Sequence, residues 1–170
     1  DRVFGYVAAF GVFTSVSYDT PQEMKQILGH AAYVLQGIRS LAEVTSYSMT
    51  IEHDGQVEEG NYIYGMVSNS VSVGGFQGMK TAEVVLDDGK FEVLLVRTPT
   101  SLAELNAVLA ALISRAPNEN VLSFQASQVS FHCNEAVAWT LDGEYGGEHT
   151  DATVKILPQA VRMIRGGMPS

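Results

Sequence analysis

Three Asp-Gly pairs, Asp54-Gly55, Asp88-Gly89 and Asp142-Gly143, punctuate this chain. Glycine takes positive φ without steric cost and aspartate bonds to nearby backbone, so each pair reads as a tight turn. The segments beside them carry strand patterns. Val137, Trp139 and Leu141 alternate with smaller residues, which gives a strand with one buried face. Thr45, Tyr47, Met49 and Ile51 share a face before Asp54-Gly55, and a second strand around 61–68 completes a hairpin. Phe91 to Val96 is apolar on both faces and reads as a central strand. Strands joined by turns of this kind pair antiparallel; parallel pairs need long crossovers.

The remaining segments fit the same plan. Residues 3–17 read as one or two strands, with Gly5 and Gly11 as points of bulging or close approach. Thr20-Pro21-Gln22-Glu23 is a helix start with a capping box, followed by an apolar stripe from Met24 to Ile38. Ser101-Leu102-Ala103-Glu104 opens a second helix, whose stripe is Leu102, Leu105, Leu109, Leu112 and Ile113. Asn69 to Lys80 is a Ser- and Gly-rich loop. Strands return over 121–133, 136–141 and 153–157, with a last one near 160–164. About nine strands and two helices point to a mainly β, α+β domain: an antiparallel sandwich or barrel-like sheet with two packed helices.

At 170 residues the chain suffices for one good-sized core. Its net charge is −9 and its ten basic residues are scattered, which argues against nucleic acid as a partner and against strong electrostatic binding to anionic membranes. The single cysteine, Cys133, reads as a small buried hydrophobe and fits a reducing compartment. The four histidines show no metal spacing, no apolar run reaches membrane-spanning length, and no signal peptide opens the chain. With no initiator Met and a strand pattern already at Val3, the chain reads as a piece of a longer protein.

Two acidic turns are the candidates for chemistry. Glu144 sits just past a stiff strand, two residues from Asp142, with Gly146-Gly147 leaving space beside it. A carboxylate at such a place suits general-base work, although most Asp-Gly turns are only turns. Asp142 can orient the loop, help hold a second cation, or simply cap the turn. Asp87-Asp88-Gly89 offers aspartate oxygens and turn carbonyls that suit Mg²⁺ or Ca²⁺, but on spacing alone a solvated hairpin turn is the favoured reading, because full cation loops carry more carboxylates.

Three ordered segments carry a family likeness. They are Val7-Ala8-Ala9-Phe10-Gly11-Val12-Phe13-Thr14 with Lys25 to Tyr33; Ser68-Asn69 and Gly74-Gly75 with Leu86-Asp87-Asp88-Gly89-Lys90-Phe91-Glu92-Val93; and Trp139-Thr140-Leu141-Asp142-Gly143-Glu144 with Val154 to Ala160. Over nearly its whole length the chain resembles the C-terminal domain of the bacterial diacylglycerol kinase and lipid kinase family, relatives of sphingosine kinases. The resemblance implies that residues 1–170 are the β-rich C-terminal domain of a two-domain kinase. ATP would be bound mainly by an N-terminal nucleotide-binding domain with a Gly-Gly-Asp-Gly-Thr loop, which this sequence does not contain. It implies Glu144 as general base, with Asp142 in the same motif. It implies a structural Mg²⁺ held by the Asp88 side chain and the carbonyls of Val85 and Lys90. The substrate would be a lipid alcohol of the diacylglycerol kind, and the protein cytoplasmic with peripheral membrane contact; the chain by itself would be inactive. Phe10 stands where relatives often have a second glycine, and its bulk is expected to narrow whatever approaches that strand. Relatives also lead one to expect a proline between Phe76 and Ala82, and there is none. The competing reading is a noncatalytic β module that binds an apolar ligand or a protein, with both acidic turns structural.

Overall fold

A computed structural model of the chain describes residues 2–12, 44–70, 72–73, 76–77, 88–114 and 116–161. The helix expected over 20–38 lies outside these residues, as do Val85 and Asp87. Within them run β1 (Val7–Gly11), β2 (Tyr47–His53), β3 (Gln56–Ser68), β4 (Ser72–Val73), β5 (Phe76–Gln77), β6 (Phe91–Arg97), α1 (Leu102–Ser114), β7 (Val121–Ala126), β8 (Gln128–Leu141) and β9 (Glu144–Lys155). The short β4–β5 pair falls within the stretch expected to be loop.

Every pairing is antiparallel, as the turn-linked pattern requires. Two long strands, β3 and β8, frame the main sheet. Between them β2 and β1 lie end to end: β2 pairs with one part of each long strand and β1 with the other. β6 and then β7 follow beyond β3, while β9 pairs with the far edge of β8. Only Ser127 separates β7 from β8, so the chain passes from one side of the sheet to the other and the sheet closes into a barrel-like form. The Ser127 carbonyl accepts the Ile156 N–H at 3.0 Å, which ties the end of β9 to this corner.

The curled sheet encloses one core and carries a second on its outer face. Inside, Phe10 meets Trp139, Phe131 and Tyr47 edge to face, with centroids 5.0, 5.9 and 6.0 Å apart. Val67, Val93 and Leu95 of the central strands join them. Outside, Leu105, Val108, Leu109 and Leu112 of α1 cover Ile63, Tyr64, Met66, Leu94 and Val96. A β-bulge between Tyr62 and Tyr64 makes this possible. One extra residue flips the alternation, so Tyr62 faces the enclosed core while Ile63 and Tyr64 both reach the helix side. β6 is buried on both faces, as its apolar run predicts.

Four expectations are corrected. Leu102 is 46% exposed, because the first helical residue points away from the sheet; Val108 fills the stripe instead. Residues 160–161, the described part of the strand expected near 160–164, are not strand; among the described residues strand pairing ends with β9 at Lys155. β8 runs unbroken through 134–135, absorbing its extra residues as an irregularity against β9 between His132 and Val137. Phe10 narrows no outer approach: it is fully buried, and its ring occupies the place where Gly65, its cross-strand partner, has no side chain.

Candidate active site at the β8–β9 hairpin

Asp142 and Gly143 have φ of +52° and +88°, the paired positive values of a type I′ turn. This turn matches the right-handed twist of the strands it joins, so β8 and β9 continue without splaying. Leu141 and Glu144 form the closing pair of the hairpin. Glu144 is therefore the first residue of β9, and its backbone is fixed by strand pairing. Its side chain is exposed, and among the described residues no group hydrogen-bonds to its carboxylate.

The glycines beyond it do not leave open space. Gly146 is buried at a second register shift, and an added methyl there would stand 3.0 Å from both the Trp139 carbonyl oxygen and Leu141 Cγ. Gly147 has φ of +103°, and a methyl there would come within 2.8 Å of His149 Nε2. The pair forms a bulge that lets β9 stay against β8 while the extra residue is taken up.

Asp142 does something its neighbours in sequence give no sign of. Its Oδ1 accepts the N–H groups of Tyr6 at 2.9 Å and Val7 at 2.8 Å, and its Oδ2 accepts that of Gly5 at 2.7 Å. Its own N–H donates to the Val7 carbonyl at 2.8 Å. The carboxylate thus serves the backbone of a segment 135 or more positions away, instead of its own turn. Arg2 adds a tie on the other side of Glu144, donating from Nη1 to the Tyr145 carbonyl at 2.7 Å. Segment 2–7, missed as part of the site by sequence reasoning, is fastened along the hairpin. Nothing local announces it: even a methyl at Gly5 would stand 3.8 Å from Asp142 Oδ2, an ordinary contact. Around this arrangement Val3, Tyr6 and Tyr145 are exposed by 81%, 43% and 50%.

The second acidic turn is separate. Asp88 Oδ1 accepts the Lys90 N–H at 2.9 Å, an Asx turn closed by Gly89 at φ +77°. Asp88 and Lys90 are exposed, and Val85 lies outside the described residues. Close by, Glu92 takes a bond from Gln125 Nε2 at 3.1 Å on one oxygen, while its other oxygen is buried without a partner. Burial pushes the Glu92 carboxyl above the usual range, against the Gln125 bond, and the negative charge of Asp88 adds to the rise. Aspartate and carbonyl oxygens are hard donors of the kind a divalent cation takes. Among the described residues no three His, Cys, Asp or Glu side chains converge as a metal site. No hydrogen bond or strand pairing links this turn to the hairpin of Glu144 among the described residues. No described helix is long and apolar enough to cross a membrane.

The chain matches, over residues 7–165, the family model described as the YegS C-terminal NAD kinase beta sandwich-like domain. It is 33% identical over 149 residues to a diacylglycerol kinase of Staphylococcus carnosus, covering 86% of this chain and 48% of the relative. It is 31% identical over 148 residues to a diacylglycerol kinase of Bacillus subtilis, with the same shares covered. A crystal structure of a diacylglycerol kinase from Bacillus anthracis superposes with a TM-score of 0.61 at 23% identity, over 91% of this chain and 50% of that one. The chain spans about half the length of the relatives it matches. With this fold, this turn order and these matches, the chain belongs to the diacylglycerol kinase family and is its YegS-type C-terminal β-sandwich-like domain.

Proposed function

We propose that this domain supplies the lipid-binding surface and the general base of an ATP-dependent kinase acting on a lipid hydroxyl of the diacylglycerol kind. The observation that carries the reading is the state of Glu144. Its carboxylate is exposed and unbonded among the described residues, on a backbone fixed by a type I′ turn and the fastened segment 2–7. A structural carboxylate at a turn would be expected to have backbone partners, as Asp142 does. A base that must receive a proton needs a free oxygen on a stiff support.

In the proposed reaction the lipid hydroxyl oxygen attacks the γ-phosphorus of ATP. The new O–P bond forms, the bond from the γ-phosphorus to the bridging oxygen breaks, and ADP leaves with that electron pair. The hydroxyl proton passes to the Glu144 carboxylate. The exposed Val3, Tyr6 and Tyr145 supply apolar surface beside it. ATP is held by an N-terminal nucleotide-binding domain of the same protein. Asp88, with the carbonyls of Val85 and Lys90, would hold a Mg²⁺ that stiffens its turn. The protein acts in the cytoplasm with peripheral contact to the membrane where its substrate resides.

The test is Glu144→Gln in the full-length protein, assayed for transfer of labelled phosphate from ATP to diacylglycerol. A loss of about 10²- to 10⁴-fold in kcat is expected from removing a general base. Activity within a few-fold of wild type sinks the base assignment and leaves the noncatalytic β module as the better reading.

A further inference from the structure

We propose that Asp142 is a positioning residue: it clasps segment 5–7 to the β8–β9 hairpin, and through that clasp it holds Glu144 where the proton must be received. The inference rests on the kinase reading above and assigns Asp142 a role apart from proton transfer or cation binding.

Three features of the geometry carry it. First, three of the carboxylate's roughly four acceptor sites are already in use. Oδ1 takes two N–H groups and Oδ2 a third, all within 2.9 Å. Charge-assisted bonds of this kind are about twice as strong as neutral ones. Second, the bonds are directed across the chain. A turn-capping aspartate satisfies its own loop, whereas this one joins the hairpin to residues 5–7, of which only Val7 is in a strand pair, with Ser68 of β3. The β1–β8 register begins at Ala8↔Leu141, so residues 5–7 have no ladder bond to β8. The carboxylate, together with the Asp142 N–H to Val7 carbonyl bond, takes over where the ladder stops. Third, the ties bracket Glu144. Asp142 lies two residues before it, and the Tyr145 carbonyl one residue after it takes the Arg2 guanidinium. The hairpin tip is thereby fixed from both sides, although Glu144 itself is touched by neither tie.

Near-attack geometry is steep in distance: a misplacement of about 1 Å can cost 10²-fold in rate. Loosening the clasp should therefore lower kcat while ATP binding elsewhere in the protein is kept. Asparagine makes the distinction from chemistry. Its carbonyl oxygen can still take the Tyr6 and Val7 N–H groups that now share Oδ1, while its NH₂ faces the Gly5 N–H and loses that bond. An amide has no carboxylate to accept a proton or neutralise a cation.

The experiment compares Asp142→Asn, Asp142→Ala and Glu144→Gln in the full-length protein. It measures kcat and the KM for ATP with dioleoylglycerol micelles, and amide hydrogen exchange over residues 5–7. The expected result is an ordered series. Asp142→Ala lowers kcat by at least about tenfold with KM for ATP within about twofold. Asp142→Asn falls between it and wild type. Exchange at 5–7 speeds up in the same order, while Glu144→Gln lowers kcat by about 10²- to 10⁴-fold and leaves exchange unchanged. Should Asp142→Ala not fold, the asparagine variant carries the test. Asparagine as inactive as Glu144→Gln, with amides 5–7 still protected, overturns the proposal in favour of direct chemistry. Faster exchange in an Asp142 variant of wild-type kcat overturns it in favour of a purely structural clasp. Unimpaired Glu144→Gln, or a wild type without phosphoryl transfer, instead overturns the kinase reading, and the positioning role goes with it.

Discussion

Gly65 illustrates how a residue with no side chain can decide what its partner does. Phe10 lies directly across the β1–β3 pair from it, and a methyl at Gly65 would run into Phe10 Cε1 and Cζ. The ring cannot swing aside, because Trp139 stands 5.0 Å away and Phe131 5.9 Å, each edge to face. Gly65→Ala is expected to destabilise the domain by about 1–3 kcal/mol, the usual range for overpacking. Phe10→Leu leaves room for the methyl, so the cost of Gly65→Ala should shrink in that background. A double-mutant cycle by urea unfolding checks this, and additive losses would show that the two positions do not share one space. The pairing explains why bulk at Phe10 reads wrongly from sequence alone. Alternation says that Phe10 faces the opposite way from Ala9, but the register that sets it on Gly65 is fixed 55 residues away. Nothing local records it. Asp142 is the same case at greater range: its turn is legible, and the backbone it serves is not.

The elements divide by whether their defining signal is local. The hairpins at Asp54-Gly55 and Asp142-Gly143 are readable because a type I′ turn needs positive φ at two successive residues, and few residue pairs supply it. Glu144 to His149 is harder, since a bulge at Gly146-Gly147 breaks the alternation that would announce a strand. Helix α1 is readable from its start. Ser101 Oγ accepts the Glu104 N–H at 3.1 Å, as a capping box requires. The Glu104 carboxylate reaches one residue further back than usual, accepting the Thr100 N–H at 2.7 Å and the Thr100 hydroxyl at 2.8 Å. These bonds, the backbone one first, hold the Glu104 carboxyl below the usual range. The sign follows from linkage. A lowered folded-state value means that the stabilisation is fully present above the ordinary glutamate range and is lost as pH falls through the lowered one. Glu104→Gln is therefore expected to melt below wild type at neutral pH, with the gap closing on acidification. Thermal melts of both proteins across that range test it. A gap independent of pH would mean that the charge of Glu104 contributes nothing to the cap.

At the scale of the molecule, the proposed function divides the work: this domain presents the proton acceptor and a nucleotide-binding domain holds the phosphate donor. A nucleotide's phosphates need a cradle of unpaired backbone N–H groups, usually a glycine loop running into a helix N-terminus. The sequence has no Gly-Gly-Asp-Gly-Thr loop. Among the described residues α1 is the only helix; Ser101 Oγ already accepts the Glu104 N–H there, and Glu104 places a carboxylate in its first turn. A second negative group such as phosphate would be repelled there. On the proposed reading Glu144 receives the proton while its phosphate donor is bound elsewhere in the protein. The 170-residue chain by itself should accordingly transfer no phosphate from ATP to diacylglycerol, while a full-length protein carrying the nucleotide loop should do so. The measurement is the same labelled-ATP assay on both proteins, with retained strand structure by far-ultraviolet circular dichroism showing that the shorter one is folded. Transfer by the folded chain alone would place an ATP site within these residues and overturn the division of labour proposed for them. Inactivity that is relieved by adding the nucleotide-binding half in trans would support that division most directly, because Glu144 and the phosphate donor would then have been brought together from separate chains.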